Sequence, residues 1–204
     1  MKILLSNDDG IFARGIEVLA LTLIGRGHDV YIVAPDEDAS GTGHGLTINK
    51  PLRYRRYMIN DKFFGYMVNG KPADCVKLAR WEIYKDIEFD LMISGINRGA
   101  NLGVDLFYSG TYGAAAEASL LGIKSIAISL VEPFNHEENF DKRFDPHGNE
   151  YFWITGNPVE YSTNHDSDYY VLKENYVSVT PTRLDLTDGK FGIQIEKELE
   201  KWNG

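Results

Sequence analysis

The chain has a single cysteine, Cys75, among 204 residues. No intramolecular disulfide can form, and a cysteine-rich zinc site is excluded. Long apolar runs are also missing. After Met1 and Lys2 the first apolar stretch is only Ile3-Leu4-Leu5, too short for a signal-peptide core, and nothing approaches the roughly 18 residues of a membrane span. Positive charge is in deficit: the net charge is -9. A chain this acidic is poorly suited to binding a nucleic-acid backbone as its main task. No internal repeat or low-complexity tract is present. These absences point to a protein of the reducing cytoplasm, with no membrane partner and no stable nucleic-acid complex.

What remains is ordinary globular composition, 43% hydrophobic and 25% charged. The acidity is unevenly placed. Residues 1–130 are nearly neutral, with 15 acids against 14 bases, so the negative charge belongs to residues 131–204. Two regions follow: an α/β core over 1–130, and a C-terminal arm or strand region over 131–204, expected to serve oligomerisation.

The core alternates strand and helix. Lys2 to Leu5 reads as a buried strand running into the turn Ser6-Asn7-Asp8-Asp9-Gly10. Ile16, Leu19, Ala20, Leu23 and Ile24 recur at helical spacing, and Gly25 and Gly27 stop that helix. Asp29 to Ala34 is a second strand, parallel to the first through a right-handed crossover. Residues 46–69 read as extended, partly antiparallel chain. Pro72 opens a helix to about Tyr84, with Asp74 in its first turn. Asp90–Ile96 and Ile126–Leu130 are further strands, separated by an Ala-rich helix over Ala114–Leu121. The expected fold is a Rossmann-like, doubly wound, mostly parallel sheet in an α/β/α sandwich, with a β-hairpin and a C-terminal arm. In the arm, residues 135–150 read as irregular chain and Tyr176–Thr180 as a strand.

In such a sheet, ligands bind beyond the carboxyl ends of the strands. Three of those ends carry polar clusters: Asn7-Asp8-Asp9-Gly10, the loop holding Ser40, and Asn97-Arg98-Gly99-Ala100-Asn101. Two adjacent ionised carboxylates in a partly buried crevice repel, and a hard divalent cation removes that cost. Serine and asparagine oxygens from the other ends could complete its shell. The competing reading is a solvated turn. Ser109-Gly110-Thr111-Tyr112-Gly113 precedes the Ala-rich helix. It is either an ordinary cap or an anion site on exposed N–H groups. His44, in Gly41-Thr42-Gly43-His44-Gly45, is left as a base, a phosphate contact or a bystander. Cys75 reads as packing. Arg53-Tyr54-Arg55-Arg56-Tyr57 reads as a solvated hairpin face, with a weaker case for base stacking.

These residues also carry a resemblance. The opening MKILLSNDDGIFARGIEVLA resembles the start of the SurE family (survival protein E), metal-dependent 5'-nucleotidases and phosphatases. VAPDEDASGTGHGLTI at 33–48, GKPADCVKLA at 70–79, SGINRGANLG at 94–103 and SGTYGAAAEA at 109–118 follow in order. GNEYFW at 148–153 and YVSVTPTRLDLT at 176–187 extend the resemblance over almost the whole chain. It implies one divalent ion, manganese or magnesium, held by Asp8, Asp9, Ser40 and Asn97. It implies phosphate contacts from Asn101, Ser109, Gly110 and Thr111. The implied substrates are nucleoside 5'-monophosphates, with 3'-monophosphates and short polyphosphate beside them, and the implied assembly is a homodimer or homotetramer. One departure stands out. After Leu130 the family continues with another helix and strand, and here several tens of residues are missing.

The expected reaction is phosphomonoester hydrolysis. A water activated by the cation attacks while Asp8 orients or deprotonates it; direct attack by Asp8 is the alternative. A phosphoacceptor signalling domain also starts with a strand ending in paired acids. It needs an acceptor aspartate where this chain has Gly95-Ile96-Asn97, which argues against it. A degenerate, non-catalytic nucleotide-binding or metal-binding module is the remaining competitor.

Overall fold

A computed structural model describes residues 1–131, 139–155, 167–174 and 176–185. Its organising element is β1 (Lys2–Ser6), whose residues from Ile3 to Ser6 are all buried. Apolar side chains on both faces require a cover on both faces, and that is what the chain supplies. β1 pairs in parallel with β2 (Asp29–Pro35) on one side and with β5 (Leu91–Arg98) on the other. β4 (Lys62–Val68) adds to β2 in parallel, and β6 (Ser125–Leu130) adds to β5 in parallel. β3 (Tyr54–Ile59) closes the other edge antiparallel to β4, as the expected hairpin. The strand order is β3-β4-β2-β1-β5-β6.

Alternate residues feed two cores. Ile3, Leu5, Ile32 and Ile93 pack with Ile16 and Ala20 of α1 (Arg14–Gly25). Leu4, Val33, Val68 and Met92 pack with Cys75 and Val76 of α2 (Pro72–Leu78) and with Ala114, Ala115 and Ala118 of α3 (Gly110–Leu120). The alanines let α3 lie close against both the sheet and α2. The chain runs outward from β1 through α1, then returns through α2 to β5 on the far side of β1. The switch point of the sheet therefore lies between β1 and β5, and ligands are expected there.

Several boundaries differ from the sequence reading. The helix opened by Pro72 is α-helical only to Leu78, and Ala79–Ile83 form a wider π turn closed by Tyr84 N–H to the Ala79 carbonyl at 2.9 Å. α3 begins at Gly110, ahead of the alanine run, because Ser109 Oγ accepts the Tyr112 N–H at 3.0 Å and caps it there. Part of residues 135–150 is not irregular. β7 (Asn139–Phe144) and β8 (Glu150–Thr155) form an antiparallel hairpin. Asp145 closes it by accepting the His147 and Asn149 N–H groups at 2.8 and 2.9 Å. Tyr176–Thr180 is not a strand: it pairs with no strand among the described residues, and Val177 and Val179 are 84% and 87% exposed. β-branched composition without a partner edge does not make a strand. The rest of the arm holds α4 (Asp168–Lys173), whose Asp168 accepts the Gly103 N–H at 2.8 Å. Residues 186 and 187 of the last motif lie outside the described residues.

Candidate metal and phosphate site

The turn after β1 is shaped by Asn7, which is fully buried and donates from Nδ2 to the Gly10 carbonyl at 2.8 Å. Gly10 follows at φ 88, a left-handed conformation that favours glycine. The turn sends its two carboxylates in different directions. Asp8 is 3% exposed and meets the start of α3. Its Oδ2 accepts the Thr111 N–H at 3.0 Å, and its Oδ1 accepts the Thr111 hydroxyl in a short bond. Asp9 turns toward β5, where Oδ2 accepts the Arg98 N–H at 3.1 Å.

The other two strand ends come to the same place. The Ala39 N–H donates to the Asp8 carbonyl at 2.8 Å, which brings the loop after β2 against the β1 turn. Ser40 is next in that loop, exposed, its N–H donating to Asp38 Oδ1 at 2.8 Å. Asn97, near the end of β5, is 8% exposed and donates from Nδ2 to the Gly99 carbonyl at 2.9 Å, leaving its Oδ1 to accept from a ligand. The loops bearing Asp8, Asp9, Ser40 and Asn97 are thus brought to one rim.

Burial is the main force on the two carboxyls. It raises Asp8, against the two Thr111 bonds that lower it, with Asp38 raising it further. It raises Asp9 as well, against the Arg98 N–H. The Asp8 and Asp38 charges then push Asp9 up, and the Arg98 guanidinium opposes them. Repulsion between Asp8 and Asp9 is real but ranks behind desolvation. The buried Asp8 and half-buried Asp9, with Asp38 beside them, form a site short of positive charge. The donors are oxygens, and among the described residues no group of three or more His, Cys, Asp or Glu is arranged to hold a metal ion by itself. That donor set fits a hard divalent cation completed by water or substrate oxygens, not a thiolate or imidazole cage. Immediately below, Ser6 Oγ, Asn7 Oδ1 and Ser94 Oγ are buried without a partner among the described residues.

The residues expected at a phosphate divide. Gly110 is buried at the first position of α3, and its N–H has no partner among the described residues. Ser109 Oγ is engaged as the cap. Thr111 has both its polar groups committed to Asp8, a role that the sequence reading did not foresee. Asn101 donates from Nδ2 to Ser129 Oγ at 2.7 Å and so reaches toward β6. A cleft of about 520 Å³ opens beside the Ser40 loop, lined in part by Asp38, Ala39, Thr42, Leu46, Ile48 and Lys71. His44 bonds through Nε2 to Glu117 at 2.8 Å. Glu117 was not singled out from the sequence, although a lone acid inside an alanine run was the available signal.

Fold and site together define a doubly wound α/β protein whose switch-point crevice is suited to a cation and an anion at once. Known proteins narrow that class. The family model described as Survival protein SurE matches residues 3–165. A 5'-nucleotidase SurE of Petrotoga mobilis is 40% identical over 252 aligned residues, covering 98% of this chain and 100% of the relative. One of Natranaerobius thermophilus is 40% identical over 264, covering 99% and 98%. The crystal structure of the SurE protein from Aquifex aeolicus superposes with a TM-score of 0.77 at 32% identity, covering 98% of this chain and 100% of that one. The chain belongs to the SurE family. Alignments of 252 and 264 positions against 204 residues must carry gaps of several tens of positions on this side. Among the described residues β6 is the edge strand of the main sheet, with Ile126 and Leu130 exposed.

Proposed function

We propose that the protein is a divalent-metal-dependent phosphomonoesterase that hydrolyses nucleoside 5'-monophosphates to nucleoside and phosphate, with 3'-monophosphates and short polyphosphate as further substrates. The observation that carries this is the seating of Asp8 on the first turn of α3, beside a Gly110 N–H that has no partner among the described residues. A buried carboxylate and an anion-accepting helix start there share one turn. The curated names of the relatives, 5'-nucleotidase SurE, support the reaction class.

Asp8, Asp9, Ser40 and Asn97 would hold one manganese or magnesium ion. That ion, when bound, would polarise a phosphoryl oxygen and supply charge to the transition state. The Gly110 N–H, the Ser109 hydroxyl and the dipole of α3 would hold the other phosphoryl oxygens, with Asn101 and Thr111 at the margin. Thr111 binds both Asp8 oxygens and fixes the carboxylate plane. Asp8 takes the proton from an attacking water. The water oxygen bonds to phosphorus and the ester P–O bond breaks; the departing alkoxide takes a proton from solvent to leave as the nucleoside alcohol, and Asp8 returns its proton to solvent. The nucleoside lies in the cleft beside the Ser40 loop, whose volume suits a ligand of that size. We assign the enzyme to the cytoplasm, and to a homodimer or homotetramer.

Phosphate release from AMP, with and without chelator, tests the reaction. A single turnover in ¹⁸O water tests the nucleophile. Label in phosphate alone is expected, and label in the Asp8 carboxylate would mean direct attack by Asp8.

A further inference from the structure

One buried carboxylate on α3 takes no part in the site described above. Glu117 lies in α3 among Ala114, Ala115, Ala116 and Ala118, and is 3% exposed. An alanine would satisfy this packed position, and a buried carboxylate needs partners. It has two. Lys77 Nζ of α2 lies 2.6 Å from Oε1, and His44 Nε2 lies 2.8 Å from Oε2. Both partners are partly exposed, with 40% and 34% of their side chains open to solvent.

His44 belongs to the loop that carries Ser40, and that loop lies directly on α3. The Gly43 N–H donates to the Tyr108 carbonyl at 2.8 Å. A Cβ on Gly113 would sit 2.5 Å from the Gly43 oxygen and 2.9 Å from the His44 Cα, so backbone meets helix with no side chain between. Successive turns of α3 thus meet Asp8 at Gly110, the loop backbone at Gly113 and the His44 ring at Glu117. The His44 ring is held at Glu117, about two helical turns along α3 from Gly110. At the loop's other end the Ala39 N–H is bonded to the Asp8 carbonyl, and the Thr42 hydroxyl donates to the Ala39 carbonyl at 2.7 Å. Ser40 is suspended between these two anchorages.

We infer that the His44–Glu117 contact, with Lys77 neutralising Glu117, is the latch that sets the Ser40 loop against α3, making His44 and Glu117 positioning residues for the cation site. The consequence for metal rests on Ser40 being a ligand; the latch itself does not. Orienting groups behind a metal ligand typically change affinity by about 10–100-fold.

The test uses the full chain with Mn²⁺ as probe. His44→Ala is expected to weaken calorimetric Mn²⁺ binding about tenfold or more. It should also speed amide hydrogen exchange over residues 40–45 in the metal-free protein. At saturating Mn²⁺, kcat for AMP should stay within about threefold of wild type. His44→Gln keeps a donor near the Nε2 position and should restore both binding and protection. Unchanged exchange over 40–45 in His44→Ala, or a Gln variant as impaired as the Ala variant, would overturn the latch. Ser40→Ala separates the two readings. If it leaves Mn²⁺ binding unaltered while His44→Ala still loosens the loop, the latch stands and the Ser40 ligand assignment falls.

Discussion

Gly110→Ala is the smallest change that attacks the proposed site. A Cβ on Gly110 would lie 2.8 Å from the Asp8 Cβ, 3.1 Å from Asp8 Oδ2 and 3.1 Å from the Pro72 Cγ. Carbon atoms rest at about 3.5–4.0 Å, so the neighbours must give way by about 1 Å. Pro72 is a rigid ring at the start of α2, and Asp8 is therefore the group that moves. Overpacking of this kind costs about 1–3 kcal/mol. Replacing a helical glycine with alanine returns up to about 1 kcal/mol. The net loss of stability is therefore between about 0 and 3 kcal/mol, a fall in Tm of at most about 12 °C, at about 2–4 °C per kcal/mol for a domain of this size. Activity should suffer far more, because a displacement of about 1 Å at the reacting centre can cost about 10²-fold. Phosphate release from AMP at saturating Mn²⁺, beside calorimetric melting, reads both effects. A folded Gly110→Ala protein with kcat/KM within about threefold of wild type would refute the placement of Asp8 in the reaction.

Other expectations follow from the same geometry. Thr111→Val removes the hydroxyl donor to Asp8 Oδ1 and should destabilise by about 1–3 kcal/mol, read by urea unfolding; an unchanged midpoint contradicts the bond. Asp8 and Asp9 both titrate above the ordinary 3.8 in the fold. The folded metal-free protein therefore holds those protons more tightly than the unfolded chain. Their contribution is greatest below pH 3.8 and is lost as pH rises through the raised folded values. Metal-free Asp9→Asn should consequently melt above wild type at pH 7, and an equal or lower Tm would count against this. Cys75 is fully buried, and burial pushes its thiol well up. Iodoacetamide should therefore label it only after unfolding, and rapid labelling of the native protein would contradict that packing.

Much of the core was legible because its signals are local. Ile3-Leu4-Leu5 before a polar turn, Ile16 and Ala20 at helical spacing, and Pro72 before Ala73 and Asp74 each state an element and where it starts. The parallel order then follows from strand–helix–strand alternation. The paired carboxylates were legible for the same reason: they sit where a buried strand ends. What the residues alone could not supply was partnership across the chain. Thr111 lies 103 positions from Asp8, and Glu117 lies 73 from His44. Neither spacing leaves a periodic trace. From the residues alone Thr111 therefore read as a cap or an anion contact, and His44 as any of three things. The arm failed differently. Val177 and Val179 have strand composition but no neighbouring edge among the described residues, whereas Asn139–Phe144 has polar residues on both faces and pairs through a turn fixed by Asp145. In both places pairing decided the outcome and composition did not.

Restoring metal to the chelated protein tests the central claim most directly. The full chain is stripped of divalent ions, Mn²⁺ is titrated back, and phosphate release from AMP is followed beside the Asp8→Asn protein. The account predicts no release from the stripped protein, saturable recovery with Mn²⁺, and almost none at any Mn²⁺ concentration for Asp8→Asn. Release that persists in chelator, or an Asp8→Asn protein that turns over close to wild type, would contradict it.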